Sequence, residues 1–241
     1  MSGVSIVVPV LNEKKNLNQL IYRISKSLKK IKKYEIIIVD DNSHDGTQEL
    51  LIKLKKKFKK LTYIIRKNKK RDLSRSCIDG FAKSKYNLIV VMDGDLQHDS
   101  KDIYRLYTTL LHDNLDVVIG DRFLLSRKNR GLKIHRHFLS ILITFIVNSI
   151  LGFKTKDPMS GFFIFKKKIF ERNKNYLYAN GYKILLDLIY SSRNTLKIKD
   201  IYIKFNIRFQ GSSKVDLKML YHLGFVIIAK FILRLKFKKI F

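Results

Sequence analysis

Short, almost continuously apolar runs recur along the first half of the chain, and most of them break off into polar, mainly acidic residues. Val4–Val8, Glu35–Val39, Leu61–Ile65, Leu88–Met92 and Asp116–Gly120 are such runs, rich in Val and Ile. Runs of this length without polar alternation are typical of strands covered on both faces. Helical patterns lie between them, near Lys15–Lys30, Thr47–Lys57, Ser74–Lys83 and Lys101–Leu111. The alternation predicts an α/β fold with a mostly parallel central sheet and helices on both faces. After Gly120 the rhythm changes. A basic loop, Arg127 to Lys133, leads into a long apolar helix, then a strand at Gly161–Phe165, a helix near Tyr182–Ser192 and a strand at Lys197–Ile203. With no internal repeat or linker, the expected organisation is a single domain over 1–241. Its core would span 4–214, with amphipathic helices at 136–152 and 215–235.

Ligands of open parallel sheets bind beyond the carboxyl ends of the strands. Here those ends read Pro9-Val10-Leu11-Asn12-Glu13, Asp40-Asp41-Asn42-Ser43-His44-Asp45, Asp93-Gly94-Asp95-Leu96-Gln97-His98 and Asp121-Arg122. Carboxylates gathered at one edge repel one another unless a cation sits among them. Asp93, Asp95 and the amide oxygen of Gln97 form a hard-oxygen set suited to Mg²⁺ or Mn²⁺. An ion held this way keeps positions for phosphate oxygens and can neutralise a diphosphate leaving group, which points to a nucleotide-diphosphate donor. No Walker-type glycine loop is present and no G-x-G-x-x-G follows the first strand, which argues against a P-loop NTPase or a dinucleotide oxidoreductase.

Fifty Lys+Arg against twenty Asp+Glu leave a formal charge of +30. That excess predicts polyanionic company: nucleic acid, phosphorylated substrates or an anionic membrane surface. No helix-turn-helix, zinc or RNP-like pattern supports nucleic acid, so no nucleic-acid partner is expected. The single cysteine, Cys77, rules out an internal disulfide and a cysteine-based metal site, and its helical context reads as core.

The uncharged stretch Phe138–Phe153 is sixteen residues long, short of the roughly 18–20 needed to cross a bilayer. Arg136, just before it, and Ser140, Thr144 and Asn148 within it recur every fourth residue; on the C-terminal segment Lys218, His222, Lys230 and Arg234 fall on one stripe. Both segments read as helices in a membrane interface with their polar stripes towards lipid headgroups. The alternative is two helices packed on the protein's own core. The expected location is peripheral, on the cytoplasmic face of a membrane.

The three strand-end blocks Val7–Glu13, Val39–Thr47 and Met92–His98 resemble the signature blocks of family 2 glycosyltransferases. Asp157-Pro158-Met159-Ser160-Gly161-Phe162-Phe163 and Gly181-Tyr182-Lys183-Ile184-Leu185-Leu186-Asp187 are similar to the polyprenyl-phosphate branch, which includes the dolichol-phosphate mannose synthases. The resemblance implies a GT-A-type nucleotide-sugar fold and inverting transfer of a hexose to a polyprenyl phosphate. It also implies that Pro9, Leu11 and Glu13 line the nucleotide site and that Val39 and Asp41 contact base or ribose. Asp93, Gly94, Asp95 and Gln97 would hold metal and diphosphate, with Asp95 catalytic. Arg122, Arg208 and Lys214 would grip the phosphates, the last two from a loop able to close over the donor. Leu11 stands where relatives often carry tyrosine, so stacking on the base would be weaker. Relatives with attached membrane spans exist, so a separate membrane-spanning partner is conceivable.

The acceptor decides the mechanism. A lipid monophosphate has a second pKa near ~6 and arrives anionic, so it needs no general base. The protein's task is to position two anions and offset their repulsion. Arg122, Arg127 and Arg136 are candidates on the acceptor side. Ser160 either donates to the acceptor phosphate or is an ordinary turn serine. Two other readings stay open. A glycan or glycolipid hydroxyl acceptor would require a carboxylate base, for which Asp157 and Asp187 are candidates. A basic nucleic-acid-binding protein would show steep salt dependence instead.

Overall fold

The computed structural model describes residues 3–122, 134–192, 195–206 and 217–238, and within the last helices not the side chains of 134–140, 217–220 and 237–238. Seven strands form one sheet: β1 (Val4–Val10), β2 (Tyr34–Asp40), β3 (Leu61–Ile65), β4 (Leu88–Val91), β5 (Val117–Asp121), β6 (Phe163–Lys166) and β7 (Ile198–Tyr202). Their order is β3-β2-β1-β4-β6-β5-β7. Among the described residues, β6 pairs antiparallel with β4 and β5 while every other pairing is parallel, so only β6 opposes the common direction.

Both faces of the sheet are covered, as the unbroken apolar runs require. Helices α1 (Lys14–Ser27), α2 (Thr47–Lys57) and α4 (Asp102–His112) close one face. On α1 the apolar positions Leu17, Leu20, Ile21 and Ile24 fall on one stripe and are fully buried. Each contributes roughly 1.5–3 kcal/mol of transfer free energy. The other face is covered by α3 (Leu73–Lys83), α5 (Ile134–Leu151), α6 (Lys167–Asn173), α7 (Ile184–Tyr190) and α8 (Leu217–Lys238). Cys77 is buried there among core residues, as its sequence context predicted.

Pro9 sits inside a central strand, where a missing N–H ordinarily costs a ladder bond. Here it does not. The Val7 carbonyl accepts from Met92 on the β4 side, and the Val10 carbonyl accepts from Asp41 on the β2 side. Alternation along the strand turns Pro9 towards β4, beyond Val7↔Val91, the last rung of that pairing. At this point β1 and β4 part, and the cleft of the sheet opens.

At Lys230 and Asn148 the structure corrects the reading that put the polar stripes of α5 and α8 in lipid headgroups; the side chains of Arg136, Ser140 and Lys218 lie outside the described residues. Lys230 is only 2% exposed; its ammonium donates to Asp187 Oδ1 at 2.6 Å, the Tyr176 carbonyl at 2.7 Å and Ser191 Oγ at 2.7 Å. Asn148 also turns inward, receiving a hydrogen bond from Tyr190. Arg234 is exposed, yet it reaches back to the Ile150 carbonyl at the end of α5. The outward residues are apolar: Ile141, Leu142, Phe145, Ile146 and Ile150 on α5, and Tyr221, Phe225, Ile228, Phe231, Ile232 and Leu235 on α8. The inner apolar positions, Ile143, Val147, Leu151, Leu223, Val226 and Ile227, complete the second core. Lys230 turns inward because Asp187 is buried beneath it and a buried carboxylate requires a partner.

Candidate functional site

The carboxyl ends of β1, β2, β4 and β5 meet at one rim. The reversal of β6 brings the segment that precedes it, Asp157–Phe162, to the same rim. Three residues at this rim adopt left-handed backbone: Asn12 (φ 57), Asn42 (φ 61) and Leu96 (φ 63). Asparagine tolerates that region, whereas leucine does so at a cost of about 1–3 kcal/mol. Leu96 is held there by burial of its side chain in the first core. Its turn separates Asp95 from Gln97.

The turn after β4 carries the acidic set. Asp93 is partly exposed, and one of its oxygens lies 3.2 Å from His98 Nε2. Burial pushes the Asp93 carboxyl up, but the His98 hydrogen bond and charge, with Arg122 and Lys183, outweigh it and hold it below the usual value. His98 is buried between Phe162 and Phe205, so its ring is fixed on Asp93 rather than on backbone. Asp95 is buried and accepts the Gln97 N–H at 3.2 Å. The Gln97 side-chain nitrogen donates to the Asn206 carbonyl at 3.0 Å, which orients the amide. Two glycines permit this packing. A Cβ on Gly94 would lie 2.9 Å from Val10, and one on Gly161 would lie 2.2 Å from Asp93 Oδ2.

Among the described residues no three His, Cys, Asp or Glu side chains converge into a closed metal cage. Two carboxylates and an amide on alternate residues form an open oxygen set instead. Such a set fits a small hard cation that draws its remaining ligands from substrate phosphates and water.

Arg122 follows β5 and forms a fork-to-fork pair with Asp157: Nε to Oδ2 at 2.7 Å and Nη2 to Oδ1 at 2.8 Å. Asp157 is fully buried and Arg122 nearly so. Burial works against the guanidinium charge, but Asp157 more than offsets it and raises the Arg122 pKa. Both oxygens of Asp157 are thus engaged. Asp187 is in the same condition, accepting from Lys230 and from the backbone N–H groups of Tyr178 and Ala179. Neither carboxylate is free to serve as the base that a hydroxyl acceptor would require.

On the β2 side, Asp41 is buried and paired with Arg66, and its other oxygen accepts the Asp72 N–H at 2.6 Å. Burial raises its pKa against the opposing pull of Arg66. Glu13 stands at the N-cap position of α1 without a side-chain cap; its carboxylate accepts from the Asn16 side-chain amide at 2.6 Å and its N–H donates to Thr47 Oγ1 at 3.2 Å. Pro9 is buried and Leu11 half-buried at the tip of β1, while the Val39 side chain is wholly within the second core.

The reading of Ser160 as a phosphate donor is corrected. Its hydroxyl proton goes to the Gly120 carbonyl at 2.8 Å, and its oxygen accepts the Phe162 N–H at 3.2 Å, so it staples the β5 end to the turn before β6. Arg136 falls in α5, but its side chain lies outside the described residues, as do Arg127, Arg208 and Lys214 entirely. The chain that leads to Arg208 is nevertheless pinned at the acidic turn: Asn206 N–H donates to the Gln97 carbonyl at 2.9 Å, and His98 bridges Phe205.

Residues 5–173 match the model of "Glycosyl transferase family 2". The chain belongs to this family. This family 2 transferase is 33% identical over 221 residues to a dolichol-phosphate mannosyltransferase of Pyrococcus furiosus, covering 90% of the chain and 60% of that protein. It is 31% identical over 224 residues to the enzyme of the same name from Saccharomyces cerevisiae, covering 90% and 82%. Its fold is similar to that of glucosyl-3-phosphoglycerate synthase from Mycobacterium tuberculosis, crystallised with Mn²⁺, UDP-glucose and phosphoglyceric acid. That match has a TM-score of 0.68 and 16% identity, over 95% of this chain and 80% of that one. The sheet and its helices are those of GT-A glycosyltransferases.

Sequence reasoning missed two residues that hold the rim together, Arg66 and Asp72. Arg66 is 2% exposed and bonds Asp41, Asp79, the Asp72 carbonyl and Ser76. Asp72 caps α3 by accepting the Arg75 N–H at 3.0 Å and also receives the Gly181 N–H at 2.5 Å. Among fifty Lys+Arg, nothing local marks one arginine after a strand as buried.

Proposed function

We propose that this chain transfers a hexose, with inversion, from a nucleotide-diphosphate sugar to a polyprenyl phosphate at a membrane surface. The observation that carries this reading is the state of the carboxylates. Asp157 and Asp187 are buried and fully bonded, and an acceptor that arrives already ionised has no use for a base. The names of the relatives support a lipid-phosphate acceptor and favour mannose as the sugar.

In the proposed step an oxygen of the lipid phosphate attacks the anomeric carbon as the bond to the diphosphate breaks, and the nucleoside diphosphate departs. Asp93, Asp95 and Gln97 would hold Mg²⁺ or Mn²⁺, which supplies charge neutralisation for the leaving diphosphate; Mn²⁺ accompanies UDP-glucose in the mycobacterial structure. Arg122, its guanidinium already oriented by Asp157, would meet a phosphate without rotamer search. Pro9, Leu11, Glu13, Asp41 and the backbone at Val39 would form the nucleotide end, and Arg208 and Lys214, outside the described residues, would supply further cations to the phosphates. Arg136, at the start of α5, is the proposed acceptor-side cation.

The outward apolar faces of α5 and α8 support docking on a bilayer. No helix among the described residues is long and apolar enough to cross one. These faces are continuous across two packed helices in a chain of charge +30, and a greasy face on a cationic protein matches an anionic lipid surface. Phe145→Glu combined with Ile228→Glu is expected to abolish flotation with anionic vesicles while the thermal midpoint holds, because both residues are more than half exposed. Flotation equal to wild type would remove this face from the membrane contact.

The test of the whole reading is a donor screen. GDP-mannose, UDP-glucose and related donors are offered with C55 and shorter polyprenyl phosphates, in Mg²⁺ and in Mn²⁺. Formation of a polyprenyl-phosphate sugar is expected with at least one donor; transfer to a glycan hydroxyl without lipid phosphate would overturn the assignment.

A further inference from the structure

Lys230 and Asn148 are turned into the core, but two cations stay at the edge of the apolar face and converge on one corner, where the end of α5 meets the C-terminal half of α8. Lys154 follows α5; its ammonium donates to the Ile189 carbonyl at 2.9 Å and lies 5.2 Å from the centre of the Tyr190 ring. The Tyr190 hydroxyl bonds the Gly152 carbonyl at 2.7 Å. Arg234 reaches the same turn from α8, its Nη1 donating to the Ile150 carbonyl at 3.3 Å. Gly152 has left-handed backbone (φ 84), and a Cβ there would lie 3.2 Å from Arg234 Nη1. The missing side chain lets the guanidinium lie against the turn.

Both cations are bonded to backbone carbonyls, and among the described residues no carboxylate pairs with either. Burial, and then Arg234, hold the Lys154 ammonium below its usual value. Like charges held at one corner without an acid repel, and an anion between them offsets that cost. The neighbours select the kind of anion. Exposed apolar side chains flank the cations along the chain: Ile150 and Phe153 beside Lys154, Phe231 and Leu235 beside Arg234. A free anion has no use for such neighbours, whereas a phospholipid carries its phosphate directly above its acyl chains. The corner is separate from the proposed acceptor cation, because Arg136 stands at the opposite end of α5, about four turns away.

We propose that Lys154 and Arg234 form a binding site for the phosphate of an anionic phospholipid at the edge of the apolar face. The proposal rests on the bilayer-docking reading above and deepens it. Docking by itself needs only apolar area and diffuse positive charge; this site gives one corner of the face a fixed place among the headgroups.

Vesicle flotation of the full chain tests it, with phosphatidylcholine vesicles that contain phosphatidylglycerol. Lys154→Gln combined with Arg234→Gln is expected to weaken binding about 10–30-fold. Lys53→Gln combined with Lys56→Gln removes the same charge from exposed positions of α2, on the opposite face of the sheet, and is expected to stay within about two-fold of wild type. Equal losses from the two pairs would mean that net charge alone acts, and would overturn the site. So would a Lys154 and Arg234 double variant that binds within about two-fold of wild type. Arg234→Gln alone, at an exposed position, covers the case in which the double variant does not fold; a loss of about 3–10-fold is expected, and wild-type flotation would overturn the proposal. Calorimetry with inorganic phosphate at matched ionic strength separates the lipid from a free anion. Binding tighter than about 1 mM that the double variant loses would make this a free-anion site and overturn the lipid assignment. If wild type itself fails to float with these vesicles, the docking reading falls and this inference with it. If wild type floats and the variants float equally, this inference falls alone.

Discussion

Asp95→Ala is expected to lower transfer by about 10³-fold or more at saturating Mn²⁺, with the protein still folded. The carboxylate is buried and accepts the Gln97 N–H. Its removal takes away a hard anion from the open oxygen set and loosens the turn that orients Gln97. Metal-derived charge stabilisation amounts to several kcal/mol, and each ~1.4 kcal/mol is tenfold in rate. The cost to the fold is smaller, roughly 1–3 kcal/mol for one unsatisfied N–H against a typical stability of about 5–15. Asp95→Asn separates the two effects, because its amide oxygen can still accept from Gln97 while the charge is gone. Transfer rates across a Mn²⁺ series, set beside thermal midpoints, provide the readout. If Asp95→Asn turned over like wild type at every Mn²⁺ concentration, the metal assignment would be wrong.

The second large effect is on stability. Lys230→Met should destabilise the protein by about 3–5 kcal/mol, because it strands the buried Asp187 charge. Both side chains are 2% exposed in their pair, and the same lysine also satisfies Tyr176 and Ser191. For a chain of this length the thermal midpoint would fall by roughly 10 °C. Removing the stranded charge as well, with Lys230→Met combined with Asp187→Asn, should restore part of the loss. A lysine directed at lipid headgroups would behave in the opposite way. Its replacement would leave the midpoint unchanged and weaken binding to anionic vesicles, and that pair of results would contradict the inward orientation.

The rim was legible in the sequence for a specific reason. Parallel strands buried on both faces announce themselves as unbroken apolar runs, and the polar residues that end each run therefore fall together. Asp41, Asp93, Asp95 and Arg122 could be placed at one edge on that ground alone. Pairing was not legible. Nothing in Asp157-Pro158-Met159-Ser160 says that its carboxylate will bond both arms of a guanidinium thirty-five residues earlier. Ser160 illustrates the same limit, since a serine before a glycine reads equally as a ligand donor or a turn staple until the Gly120 carbonyl is found 2.8 Å away. Helix polarity was ambiguous in the same way. A four-residue polar period marks a stripe on α8 but not whether that stripe faces solvent or a buried acid.

Local pattern therefore determined the strands, most of the helices and the acidic rim, because apolar periodicity and strand-end chemistry are properties of neighbouring residues. Two things were decided only by tertiary structure: the reversal of β6, which carries Asp157 to Arg122, and the inward turn of Lys230. Each depends on a partner far along the chain, and the energetic demand to neutralise a buried charge can be met only once the fold has supplied that partner.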